Sequence, residues 1–409
     1  MDDAPPPGPG LRRSHLRPGH PDFLDLPWAL PLDAWDGQCA RLEDLPAGLS
    51  RHAVRFVNYG GALYALKELG PGEAAKEYAL LRDMAERRVP AVTPVGHIDV
   101  RCVDEHGAPR DTSILVTRYL DHSLPYHSLF LRSDLHRYRA HLVDALASLL
   151  VQLHLSGVYW GDCSLFNTLF VRDAGALQAF LVDAETAVLY EAIDDVTREH
   201  DLFILEENLA GALADLAALT QRPQPSAEAL CHDVRRRYGE LWALASRSEV
   251  FRIDERYRID ERVRQLNRAG FSVGELSIEP VDGGELLRLR VLVTDRNFHR
   301  DLLHSLTGLE VLEAQARQMV NEIHQVRAAL STARARSVSL SAAAHAWLME
   351  RFEPAVARLA ATGSTDAPAE LYCRLLEHKW LMSEAARRDV GHRAALADLA
   401  ARIGACAAP

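Results

Sequence analysis

Asp162 and Asn167 stand five residues apart in a loop directly after a long helical stretch, and Asp183 directly follows an apolar strand-like run at 179–182. Lone Asp and Asn residues in loops are ordinary turn formers. The order D-x-x-x-x-N, apolar strand, Asp is harder to explain that way, because each residue type suits one task in phosphoryl transfer. One carboxylate accepts a hydroxyl proton or orients the acceptor, while an amide oxygen and a second carboxylate hold magnesium on nucleotide phosphates.

Upstream, Ala65, Lys67 and Leu69 alternate onto one face of a strand predicted over residues 62–69. A lysine on that face needs an anionic partner. Pro71-Gly72 opens a helix predicted from 73 to about 88, on which Glu77, Leu81 and Met84 share the inward face. Glu77 is therefore the expected partner of Lys67, with Glu73, one turn earlier, as its rival. Composition supports singling out Lys67: of 46 Lys and Arg residues only Lys67, Lys76 and Lys379 are lysine. A chain that uses arginine almost everywhere keeps a compact ammonium here.

The remaining composition excludes several classes. A net charge of −11 argues against a non-specific nucleic-acid binder. No run approaches the ~18 apolar residues of a membrane span, and the Pro/Gly-rich start lacks a basic-then-apolar leader pattern, so a cytoplasmic location is expected. The six cysteines stand far apart without metal-type spacing and are expected to be free thiols. Neither G-x-S-x-G nor H-E-x-x-H occurs, which removes support for serine hydrolase and zincin chemistry.

Along the chain, residues 1–22 are rich in Pro and Gly and predict a disordered tail. Strands are expected at 42–45, 53–58 and 62–69, with Gly60-Gly61 turning the hairpin, then the helix from 73, then strands at 95–103 and 113–119 around a turn at 104–107. Helices follow at 135–155, capped by Gly157, and at 197–218 and 227–246. The repeated Arg-Ile-Asp-Glu-Arg at 252–256 and 258–262 predicts a salt-bridged helix closed by Gly270, with Asp254 meeting Arg258 and Asp260 meeting Arg264. A hairpin at 271–294 turning on Asp282-Gly283-Gly284 and helices over 298–330, broken near Gly308, complete a small α+β unit. Residues 342–401 read as helical, with interruptions near 361–368 and Gly391. The domain boundaries expected are thus 1–22 tail, 23–250 main domain, 251–331 α+β unit and 332–409 helical region.

These motifs, in this order, make residues 40–220 resemble the protein-kinase-like superfamily, and within it the bacterial lipopolysaccharide-kinase-type branch. The long C-terminal part is similar to that of a bacterial family in which such a domain precedes a domain of unknown function. The resemblance implies an α+β, bilobal fold with an antiparallel N-lobe sheet plus one helix and a mainly helical C-lobe. It implies ATP and Mg2+ as cofactors, with Lys67 on the nucleotide phosphates and Glu77 orienting it. Asp162 corresponds to the catalytic aspartate, Asn167 and Asp183 to the metal residues, Thr117 and Tyr119 to the adenine-binding hinge, and Gly48 to the phosphate loop.

Several positions depart from the superfamily pattern. H-R-D reads Trp160-Gly161-Asp162, D-F-G reads Asp183-Ala184-Glu185, no three-glycine loop precedes Lys67, and no A-P-E element follows. Loss of the Arg before Asp162 removes the usual partner of an activation-loop phosphate. A small-molecule acceptor, such as a sugar or lipid-linked sugar, is therefore expected rather than a protein. The reduced glycine loop keeps a second expectation open: a pseudokinase-type nucleotide-binding protein that signals through its C-terminal domain. Residues 251–331 carry 12 arginines against 13 acids, so no net basic surface marks them as a nucleic-acid module; a protein partner or self-association through residues 251–409 is expected. Cys163, His154 and the run Arg235-Arg236-Arg237 read as a neutral thiol, a helix-end residue and a solvated face.

Overall fold

The computed structural model describes residues 10–45, 51–103, 107–126, 129, 135–220, 226–252, 255, 257–281 and 286–407. They divide into two compact units. The first comprises Met1–Leu135, Leu149–Phe170 and Ala179–Arg235; the second comprises His136–Ser148, Val171–Gln178 and Arg236–Pro409.

In the first unit, β1 (Gly10–Leu16), β2 (Leu42–Glu43), β3 (Val54–Tyr59), β4 (Ala62–Leu69), β5 (Pro94–Val103) and β6 (Pro109–Arg118) form one sheet in the order β1-β5-β6-β4-β3-β2. Every neighbouring pair is antiparallel. Tyr64 and Leu66 of β4 point into an apolar cluster with Phe23, Trp28 and Trp35. Ala65 and Lys67, on the other face, line a cleft. The period-2 alternation of β4 thus separates core from site.

The disordered tail expected over residues 1–22 is corrected for residues 10–16, which form β1. An edge strand needs only backbone partners, so the Arg-Arg-Ser-His stretch shows no apolar pattern. It pairs along β5, and His15 stacks on His97 with ring centroids 5.4 Å apart. Gly96 makes this approach feasible, since a Cβ there would lie 2.2 Å from the carbonyl oxygen of His15.

The helix α1 (Glu73–Glu86) buries Glu77, Leu81 and Met84, as their spacing predicts. The long helix α2 (Leu135–Leu155) ends at Gly157, whose φ of +75° suits glycine and whose carbonyl accepts the amide of Tyr190 at 2.7 Å. The short strands β7 (Leu124–Pro125), β8 (Val158–Tyr159), β9 (Thr168–Asp173), β10 (Ala176–Leu181) and β11 (Val188–Leu189) surround the loops that carry Asp162 and Asp183. The order β10-β9-β7 makes one small sheet and β11-β8 another. The helix α3 (Asp195–Thr220) is buried along Leu202, Leu205, Leu209 and Leu213, and α4 (Ala227–Ser246) follows.

The second unit contains the sheet of β12 (Glu249–Arg252), β13 (Ser272–Val281) and β14 (Leu286–Asp295) in the order β12-β14-β13. The helices α5 (Tyr257–Arg268), α6 (Phe298–Thr307), α7 (Glu313–Ala333), α8 (Leu340–Trp347), α9 (Glu353–Ala360), α10 (Pro368–Ala386) and α11 (His392–Ala407) complete it. Two differences from the sequence reading appear. Residues 249–252 form a strand, and its Glu249 pairs with Arg258 at 3.7 Å, which also meets Glu255 at 3.5 Å. Asp254, the partner expected for Arg258, lies outside the described residues, as do the turn residues 104–106 and 282–284. The second difference is the boundary at 331. One buried cluster contains Leu303, Met319, Trp347, Tyr372 and Leu399, so residues 251–331 and 332–409 share a core.

Inside that core the buried carboxylate of Glu322 accepts from Trp347 Nε1 at 2.7 Å, Tyr372 Oη at 2.6 Å and Arg351 Nη1 at 3.0 Å. A π-helical turn, Leu348–Phe352, joins α8 to α9. The arginine run is spent on carboxylates: Arg235 on Glu199 and Glu206, Arg236 on Glu240, and Arg237 on Asp144. Among the described residues no helix is long and apolar enough to cross a membrane.

Candidate functional site

Lys67 and Glu77 meet because β4 turns its lysine to the face away from the apolar cluster and α1 buries its glutamate. Lys67 Nζ lies 3.1 Å from Glu77 Oε2 and 2.7 Å from Asp183 Oδ2. Burial pulls the Lys67 ammonium down, but the two carboxylates outweigh it and hold the group above the usual lysine range. Burial pushes the Glu77 carboxyl up to about 7, against the pull of Lys67 and with the Asp183 charge adding to the rise. Glu77 also accepts the amide of Ala184 at 3.2 Å, which fixes the backbone just after Asp183. The rival Glu73 instead accepts the amide of Gly70 at 2.7 Å.

Asp162 is held by amides. Its Oδ2 accepts from Asn167 Nδ2 at 2.9 Å, and its Oδ1 from Asn208 Nδ2 at 3.2 Å. Since the Asn167 nitrogen is turned to Asp162, its oxygen is the atom left for a further partner. Asn208 also donates to the Cys163 carbonyl at 2.9 Å, tying both sides of the loop to α3. Cys163 is fully buried, and burial with Asp201 and Asp162 nearby pushes its thiol well up, so it is neutral and inert.

Asp201, also on α3 and fully buried, organises the backbone before Asp162. Its Oδ2 accepts the amide of Trp160 at 2.8 Å and contacts His154 Nε2 at 3.1 Å, while its Oδ1 accepts the amide of Gly161 at 2.8 Å. His154, read from the sequence as a helix-end residue facing terminal carbonyls, faces Asp201 instead. Gly161 takes a φ of +78°, with Thr186 O placed 3.0 Å from where a Cβ would sit. A glycine in place of the family's arginine therefore has a local backbone reason.

Lys67, Asp162, Asn167, Asp183 and Asn208 line one cleft of about 940 Å³. Thr117 and Tyr119 are on its wall, and the Tyr119 amide donates to the Leu63 carbonyl at 3.0 Å. Gly48 lies outside the described residues. At the rim His52 Nε2 is 3.4 Å from Glu185 Oε2, so the residue in the third position of the D-F-G pattern faces the start of β3. Asp201 and Asn208 were not singled out from the sequence. Their signal is spacing alone: Asp201 and Asn208 share a helix face with the buried Leu205 at i, i+4 and i+7, among many other polar residues of the same helix.

The donor set fits magnesium in kind: one carboxylate and one amide oxygen, the rest of the shell coming from phosphates and water. No group of three or more His, Cys, Asp or Glu side chains gathers into a self-sufficient metal cage among the described residues.

Residues 62–226 match the lipopolysaccharide kinase (Kdo/WaaP) family, and residues 240–403 match the domain of unknown function DUF4032. No curated protein matches the chain. A solved structure described as "WaaP in complex with acyl carrier protein" is 20% identical with a TM-score of 0.34, covering 56% of this chain and 100% of its own. The chain thus joins a kinase-like phosphotransferase region of the lipopolysaccharide kinase (Kdo/WaaP) type, residues 62–226, to the domain of unknown function DUF4032 at residues 240–403.

Proposed function

We propose that the protein transfers the γ-phosphoryl group of ATP to a hydroxyl of a sugar, a lipid-linked sugar or another small molecule. The observation that carries this is the Lys67 ammonium, 3.1 Å from Glu77 and 2.7 Å from Asp183, in the cleft that also holds the bonded pair Asp162 and Asn167.

Lys67 would bind the ATP phosphates, with Glu77 keeping its ammonium aimed into the cleft. Thr117 and Tyr119 would border the adenine. Asp183 and the Asn167 oxygen would hold Mg2+, which when bound supplies positive charge against the phosphate oxygens. Asp162, oriented by Asn167 and Asn208, would accept the acceptor hydroxyl's proton as that oxygen bonds to phosphorus and the bond to ADP breaks. Asp201 would act at one remove, by fixing the backbone of Trp160 and Gly161.

The acceptor class is supported by the family matched over residues 62–226 and by the departures of the sequence from the activation elements of the superfamily pattern. The test is a screen of sugars and metabolite extracts with labelled γ-phosphate, comparing wild type with Asp162→Ala. A labelled product formed by wild type alone supports the proposal, whereas label transferred equally by both excludes Asp162 from the reaction.

A further inference from the structure

Asn167 and Asp183 stand at the two ends of one hairpin, β9 and β10, closed by the amide of Val182 donating to the Asn167 carbonyl at 3.0 Å. The tip of that hairpin, Val171–Gln178, belongs to the same compact unit as Arg236–Pro409. Its contacts there are built rather than incidental.

Asp173 is 4% exposed and accepts the amides of Ala314 at 2.9 Å and Gln315 at 2.7 Å. These are the second and third residues of α7, the donors that a capping side chain normally satisfies. The residue before α7 is Leu312, which has no side-chain acceptor, so the cap is supplied by a residue 141 positions away. Glu370 of α10 accepts the amide of Ala174 at 3.0 Å and Gln315 Nε2 at 2.9 Å, and Gln318 Nε2 donates to the Ala174 carbonyl at 3.3 Å.

The turn also carries strain. Ala174 has a φ of +52° beside Gly175 at +80°, a pair of left-handed residues where Asn-Gly or Gly-Gly is the usual choice. The Ala174 side chain packs against the cluster that contains Leu303, Trp347 and Tyr372. Strain held in place by its surroundings is characteristic of functional positions.

We propose that the C-terminal domain is a positioning device for the phosphotransfer site: it grips the hairpin tip through Asp173, Ala174 and Glu370, and so sets the spacing of Asn167 and Asp183. This rests on the phosphotransfer reading for what the two residues do, and on the hairpin geometry for how they are held. Asp173 is a positioning residue and touches no reacting group.

The experiment uses the full chain at pH 8, comparing wild type with Asp173→Asn and Glu370→Gln. Amide hydrogen exchange is read over residues 168–187, and ATP-dependent thermal stabilisation is titrated with MgCl2. Asparagine can accept only one of the two α7 amides, so Asp173→Asn should speed hairpin exchange by roughly five- to tenfold. The Mg2+ concentration for half-maximal stabilisation should rise about tenfold, the usual cost of losing a group that orients a ligand. Glu370→Gln should move both readouts in the same direction by less, which keeps the proposal testable if Asp173→Asn fails to fold.

Unchanged exchange at the hairpin would overturn the grip. Faster exchange with unchanged Mg2+ dependence would overturn the link to the metal residues. A wild type that ignores Mg2+ and ATP altogether is a different result: it overturns the phosphotransfer reading and with it the metal link, while the exchange data still decide the grip.

Discussion

Lys67 Nζ and Asp183 Oδ2 are 2.7 Å apart, although 116 residues separate them in the chain. The contact links the strand lysine to the carboxylate after β10, and it is shared with Glu77, which bonds both Lys67 and the Ala184 amide. A single ammonium bridges the sheet, α1 and the loop that carries the proposed metal ligand. Its removal makes the first prediction.

Lys67→Met should abolish the stabilisation of the protein by ATP. Its effect on folding should be smaller than for a fully ionised buried pair, because the Glu77 carboxyl already sits at about 7 and can take a proton when its partner is lost. A cost of about 1–2 kcal/mol by urea unfolding is expected. A loss above that range would mean that Glu77 stays ionised without its lysine.

Asp201→Ala removes the acceptor for two backbone amides and leaves His154 without its carboxylate, all in a buried setting. At ~1–3 kcal/mol per stranded group, the loss should reach about 3 kcal/mol or more. Asp201→Asn keeps one acceptor oxygen and should cost less. Denaturant unfolding of the two variants checks the order.

Gly161→Arg restores the residue type that the superfamily pattern carries before its aspartate, yet it should destabilise. The position has a φ of +78° and little room beside Thr186, so a cost of about 1–2 kcal/mol is expected. An unchanged melting temperature would show that the loop relaxes freely.

Asp173 predicts a pH dependence. Burial raises its carboxyl to about 7 against the two α7 amides, with Glu313 and Glu370 adding to the rise. Between its ordinary value near 4 and about 7, the folded protein holds a proton that the unfolded chain has released. The contribution to stability is therefore full below pH 4 and is lost as pH rises through 7. Wild type should lose stability relative to Asp173→Asn across that window, measured by chemical unfolding at several pH values; a constant difference would show that Asp173 is ionised throughout.

The residues whose chemistry demands a type at a spacing were legible in the sequence. Lys67, Glu77, Asp162, Asn167 and Asp183 stood out for that reason, and the structure brings them together. The helix ends at Gly157 and Gly308 were legible too, since a left-handed cap favours glycine. What stayed hidden depends on partners distant in the chain. β1 is bound through its backbone, so its side chains carry no pattern. Asp173 sits in a turn like any other until Ala314 and Gln315 are placed against it, and Asp201 is one more polar residue at the end of the run Thr197-Arg198-Glu199-His200-Asp201. The single core spanning Leu303 to Leu399 was likewise invisible, because helical periodicity marks which face is buried and not what covers it.

The central claim is that Asp162 performs phosphoryl transfer in a cleft that binds ATP without it. The most direct measurement follows release or transfer of labelled γ-phosphate by wild type and Asp162→Ala, with thermal shifts in ATP and Mg2+ recorded on the same samples. At a hundredfold excess over Kd, bound nucleotide stabilises by ~2.7 kcal/mol. Both proteins should show the shift, and the variant should lose turnover by about 10²- to 10⁴-fold. Equal turnover in the two, or no shift in wild type at millimolar ATP, would contradict the account.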